Sequence, residues 1–199
     1  MMVATLQEIR KHVLDDADEL TATTGMVVPL LRAQIDAGEA FAPHRFLRRL
    51  FARHVILILM RLHEEPGKKR VGETASIASL LERATADEKL SPEEAEEFQS
   101  VLGKLVSNLE VDGVRYSDLK DFRVAELAHS VHPRIPRTAS LPFSAIWRFA
   151  HDTFEVVLAI DQRLKASGCP SIDDLEASFD VWIDRGDAFW ASRINITDS

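Results

Sequence analysis

The chain has 199 residues, 46% of them hydrophobic and 28% charged, which is enough to close one sizeable core without metal or disulfide staples. A formal charge of -8 argues against a protein that coats nucleic acid non-specifically, and the lone Cys169 excludes an internal disulfide and a cysteine-based zinc site. A reducing, cytoplasmic compartment fits best: Glu8, Arg10 and Lys11 interrupt any signal-peptide pattern before Leu14, and the longest apolar run, Val55 to Met60, is too short to span a bilayer.

The first apolar-periodic stretch runs from about Leu6 to Ile35 and reads as two helices or one kinked one, because Gly25 and Pro29 interrupt it. Phe46, Leu47, Leu50, Phe51, Val55, Ile58 and Leu62 then recur at three- and four-residue spacing, so their segment is a buried helix stopped by Pro66 and Gly67. A short helix opens near Thr74 and carries Ile77, Leu80 and Leu81. Ser91-Pro92-Glu93-Glu94 is a start signal with a capping-box pair and proline at the first helical position, which predicts a helix from Pro92 to about Leu109.

Asp112-Gly113 marks a turn, after which Ser117 and Asp118 can cap a helix holding Leu119, Phe122, Leu127 and His129, ended by Pro133 and Pro136. A further helix from near Ser140 puts Ile146, Ala150, Phe154, Val157, Ile160 and Leu164 on one stripe, and Gly168 and Pro170 close it. The last helix opens at Ser171, with Asp173 and Asp174 favourable to its dipole, and carries Leu175, Phe179, Trp182 and Phe189. No segment alternates as a half-buried strand does, so the expectation is an all-α helix bundle. It is read as one domain over residues 1–199, with a core of about 40–195 and N-terminal helices over 3–36.

Charge is unevenly placed. From His44 to Arg70 eight Lys/Arg stand against Glu64 and Glu65, whereas from Asp87 to Glu110 seven acids stand against Lys89 and Lys104. Either one face is basic on an acidic body, or these are solvated faces that neutralise each other in the fold. Phosphate-cradling glycine loops, nucleophile elbows and His-Glu-x-x-His zinc sites have no match. Glu126-Leu127-Ala128-His129 matches one half of a helical di-iron motif, but no second copy occurs.

The segment that stands out is Asp118 to Ser130, with Arg123 followed by His129. Histidine serves as general base or acid near neutral pH, and a guanidinium holds phosphate through paired hydrogen bonds and stabilises charge that builds on it. Those two roles suffice to cleave RNA, where the 2′-hydroxyl attacks its own phosphodiester. A separation of six residues puts the two positions about 240° apart round a regular helix and about 9 Å apart along it, so a working site needs a long reach, a distorted helix end or a second subunit. The plain alternative is structural, with Arg123 paired to Glu126 and His129 favoured by a helix C-terminus.

Arg123 to His129, Arg-Val-Ala-Glu-Leu-Ala-His, resembles the Arg-x(4 to 6)-His signature of the HEPN superfamily. Ile56 to Glu64, followed by a polar loop and Ser76 to Leu81, is similar to the helix end, loop and short leucine-rich helix of its abortive-infection (AbiU-type) branch. The resemblance spans about Phe46 to Leu164 and implies a HEPN-like helix bundle with additional flanking helices. It also implies a homodimer in which the Arg-x-His motifs of two subunits meet at a shared cleft.

The family implies a metal-independent endoribonuclease of a toxin-antitoxin or phage-defence system, needing no cofactor and no metal, with RNA as substrate and an antitoxin protein as partner. Arg123 would clamp phosphate and His129 would move the proton, while Arg45, Arg48, Arg49, Arg53, Lys68, Lys69 and Arg70 would guide RNA. Active members carry Asn, Asp or His directly after the arginine where this chain has Val124. That departure favours the second reading, a non-catalytic HEPN scaffold that dimerises and binds RNA or a protein. A third is a helical regulatory partner of unrelated class. Tyr116 and Phe122 are the aromatic candidates for base stacking, Phe122 reading more as core. Trp147, Trp182 and Trp190 read as core or dimer contacts, and His54 and His63 as ordinary neutral histidines.

Overall fold

The computed structural model describes residues 4–32, 41–65, 75–129, 142–172 and 179–191; within these, the side chains of residues 29–32, 41–46, 48, 49 and 123–129 fall outside the description. In chain order the elements are α1 (Leu6–Arg32), α2 (Phe41–Leu62), α3 (Ile77–Ala86), α4 (Pro92–Asn108), a hairpin of β1 (Glu110–Val111) and β2 (Val114–Arg115), α5 (Tyr116–His129), α6 (Phe143–Ala166) and α7 (Phe179–Ala191). The chain is therefore all-α apart from one two-stranded hairpin among the described residues, and none of the described helices is long and apolar enough to cross a membrane.

Helix α1 starts on a capping box: the Thr5 N–H donates to Glu8 Oε2 at 2.8 Å and the Glu8 N–H donates to Thr5 Oγ1 at 3.3 Å. The Thr5 N–H and the Thr5 hydroxyl, which also donates to Glu8 Oε2 at 2.9 Å, hold the Glu8 carboxyl below its ordinary range. The helix runs unbroken past Gly25, because a neighbour uses that glycine. A Cβ at Gly25 would lie 2.4 Å from Trp182 Cβ, so α7 approaches α1 at backbone distance, and Trp190 Nε1 donates to the Met26 carbonyl at 2.7 Å. Leu6, Ile9, Val13, Ala17 and Leu20 recur at helical spacing and belong to the same buried cluster as Val55, Ile58 and Leu62 of α2 and Phe149, Val157 and Leu164 of α6. The N-terminal helix thus forms part of the core wall.

One position on this stripe is charged. Arg10 is fully buried, its Nε donates to Asp161 Oδ1 of α6 at 2.8 Å, and its Nη1 donates to the Pro170 carbonyl at 2.6 Å. Lys165, one turn after Asp161, reaches the other carboxylate oxygen at 3.1 Å. Helix α6 ends beside this pair in a Schellman motif, with Gly168 at φ +84 and the Cys169 N–H donating to the Leu164 carbonyl at 3.0 Å. Cys169 is buried there as a small hydrophobe.

Local signals set most boundaries. Ser91 and Glu94 make the expected capping box, and Pro92 opens α4. Helix α3 starts later than Thr74: Ser76 is its N-cap, in a capping box with Ser79. Helix α6 starts at Phe143 after Pro142, while Ser140 lies outside the described residues. Ser171 and Ile172 are not helical, and α7 is described from Phe179. Asp112-Gly113 is the two-residue turn of the hairpin, both residues at positive φ (51 and 77), with Glu110 opposite Arg115 and Val111 opposite Val114.

Candidate functional site

The hairpin delivers the chain into α5. Arg115 of β2 bonds Glu110 of β1 through Nε at 2.8 Å, and its backbone N–H donates to Asp118 Oδ2 at 2.7 Å, so the helix begins at Tyr116, before Ser117. Asp118 acts one turn inside, where a carboxylate satisfies a free N–H and suits the helix dipole. Two side chains seat this end. Leu119 is fully buried, and the Tyr116 hydroxyl reaches the Leu59 carbonyl at 3.4 Å and Met60 Sδ at 3.7 Å, with its ring against His63 (5.1 Å) and Phe149 (5.9 Å). Tyr116 is therefore an anchor, its faces already occupied, and is not open to stack a base; Phe122 packs partly buried against the core.

Helix α5 continues without a break to His129. Position 123 stands about two turns after Tyr116, within about 20° of the same line of the helix and about 60° from Lys120, whereas position 129 stands on a line about 240° from position 123. The side chains of both fall outside the description, and Pro133 and Pro136, expected to end the helix, lie outside the described residues.

Tyr116 and Lys120 line a cleft of about 720 Å³ built from four elements. The end of α2 contributes Met60, the residues just after it contribute His63, Glu64 and Glu65, and the start of α3 contributes Ile77. Helix α4 contributes Gln99, Leu102, Gly103, Val106 and Ser107, a stripe at helical spacing. His63 Nε2 lies 2.9 Å from Thr153 Oγ1 of α6, and burial pushes the imidazole pKa down to about 4, so the ring is neutral at physiological pH. Gly103 sits inside α4, where glycine costs roughly 1 kcal/mol relative to alanine, yet a Cβ there would meet nothing within 4 Å. Packing does not demand this glycine; it leaves one wall of the cleft open.

The expected RNA-guiding residues are distributed as follows. Arg45, Arg48, Arg49 and Arg53 all lie on α2, and Arg53 is exposed; the side chains of the other three, and Lys68, Lys69 and Arg70 altogether, lie outside the described residues. Arg61, part of the same basic stretch, is engaged: its Nη2 lies 2.7 Å from Asp16 Oδ1 and 3.1 Å from Glu19 Oε2, and His54 Nε2 lies 2.8 Å from Glu19 Oε1. Partial burial raises the pKa of Asp16 above its ordinary value, against the pull of Arg61. Acids of α1 thus neutralise the α2 surface at this point. Trp190 of α7 is buried against α1, Trp147 packs edge-on against Phe179, and Trp182 carries the Arg185 guanidinium over its ring at 4.6 Å.

Among the described residues no group of three or more His, Cys, Asp or Glu is placed to hold a metal ion. Neither a family model, nor a curated protein, nor a solved structure matches the chain.

Proposed function

We propose that the chain is a HEPN-like, metal-independent endoribonuclease of a toxin-antitoxin or phage-defence system, working as a homodimer in which Arg123 of one subunit and His129 of the other form each site. The observation that carries this reading is the continuous helix from Tyr116 to His129. Positions 123 and 129 are six residues apart along it, about 240° round the axis, so the two positions lie on different lines of one helix. A two-fold axis brings the two positions of different chains together.

In such a site His129 takes the proton of the ribose 2′-hydroxyl as its oxygen attacks phosphorus. The bond to the 5′-oxygen breaks and that oxygen takes a proton from water, leaving a 2′,3′-cyclic phosphate, while Arg123 holds the phosphate oxygens on which charge builds.

Mixing two inactive variants tests the sharing. If each site draws on both chains, Arg123→Ala combined with His129→Ala restores about a quarter of wild-type cleavage, since half the dimers are mixed and one of their two sites is intact. If both groups act within one chain, mixing restores nothing.

The second reading, a non-catalytic HEPN scaffold that dimerises and binds RNA or a protein such as an antitoxin, is favoured by Val124 after the motif arginine. It is favoured also by the engagement of Arg61 with Asp16 and Glu19, which weakens the basic stretch as an RNA track.

A further inference from the structure

The cleft beside α5 has the volume of a small-molecule site, and its lining is of three kinds. Met60, Ile77, Leu102 and Val106 give an aliphatic surface for a flat apolar body. Glu64 and Glu65, both exposed just past α2, give carboxylate acceptors. Lys120 gives the one cation among the described lining residues, because the neighbouring His63 ring is held against Thr153 and carries no charge. Gly103 keeps the α4 wall open at a cost in helix stability that no packing contact explains.

A ligand matching all three kinds of lining combines an apolar body, an anionic group and N–H donors. A ribonucleotide has that pattern, with phosphate for Lys120 and a base edge for the carboxylates. Guanine offers two adjacent donors, N1–H and the 2-amino group, to the two oxygens of one carboxylate. Adenine and cytosine place a ring acceptor beside their amino group, and uracil flanks its single N–H with carbonyls, so each of these sets an acceptor against a carboxylate.

We propose that this cleft is a guanine-selective nucleotide subsite, in which Glu64 or Glu65 reads the N1–H and 2-amino edge and Lys120 holds the phosphate. The proposal rests on the ribonuclease reading, to which it adds a base preference next to the scissile bond.

The test is calorimetric titration of the full-length chain with GMP, AMP, CMP and UMP, which needs no cleavage. GMP is expected to bind at least about tenfold more tightly than the other three. Glu64→Gln or Glu65→Gln removes that preference while leaving AMP binding unchanged, and Lys120→Ala weakens all four nucleotides but not guanosine. Gly103→Phe blocks binding, with Gly103→Ala as the control that folds at least as well as the parent. Equal binding of GMP and AMP, no binding of any nucleotide, or binding that Gly103→Phe leaves intact would overturn the proposal. Selective GMP binding without RNA cleavage would sustain the subsite and count against the ribonuclease, whereas cleavage without GMP selectivity would do the reverse.

Discussion

Arg10 and Asp161, from the first and sixth helices, form a buried ion pair with side-chain exposures of 0% and 4% and an Nη2 to Oδ1 distance of 2.7 Å. An isolated buried charge is costly, so removing one partner is worse than removing both. Asp161→Ala, which strands Arg10 against the Pro170 carbonyl alone, is expected to cost about 3–5 kcal/mol in urea unfolding. Arg10→Met costs less because Lys165 still faces Asp161, and the pair Arg10→Met/Asp161→Leu recovers most of the loss.

Two glycines inside helices have opposite expectations. At Gly25 a Cβ would meet Trp182 Cβ at 2.4 Å and its carbonyl carbon at 2.9 Å, so Gly25→Ala pushes α7 off α1 and destabilises by about 1–3 kcal/mol despite the gain in helix propensity. At Gly103 nothing stands in the way, and Gly103→Ala stabilises by roughly 0.5–1 kcal/mol. Thermal melts of the two variants check the contrast in sign.

His63 makes stability fall in mild acid. Its folded pKa is near 4 against an ordinary 6.5, so between those values the unfolded chain binds a proton that the folded chain does not. Stability contributed by the neutral ring is complete above about pH 6.5 and is lost as pH falls towards 4, by about 2–3 kcal/mol. Denaturation at pH 7 and pH 4.5 should show a steeper loss for the parent than for His63→Gln, which keeps a polar group near Thr153 without the titration.

Glu88 sits at φ +56 just past α3, with its N–H donating to the Thr85 carbonyl at 3.1 Å and the Lys89 N–H to the Ala84 carbonyl at 2.8 Å. This is the Schellman position that glycine fills without strain, as Gly168 does after α6. Glu88→Gly is expected to raise stability by about 0.5–1 kcal/mol, read as a shift in the urea midpoint.

The helical frame was legible where its signals are local. Ser91 and Glu94, three residues apart, announce α4, and the stripe from Ile146 to Leu164 announces α6. The hairpin was legible only as its Asp112-Gly113 turn, because strands of two residues are too short to show alternation. Arg10 read as an interruption of an apolar stretch, since its partner is 151 residues away. Tyr116 read as a stacking candidate because sequence does not show that Leu59, His63 and Phe149 already surround it. The cleft escaped for the same reason: its walls are parts of four elements, and only the glycine at position 103 hints that something must stay open.

The most direct test of the function is cleavage of a mixed RNA pool by the purified chain in EDTA, beside Arg123→Ala and His129→Ala. Cleavage is expected to survive chelation, to yield 2′,3′-cyclic phosphate ends and to drop at least about a hundredfold in either variant. A folded, dimeric wild-type chain that leaves the RNA intact, or cleavage that both variants retain, would contradict that expectation.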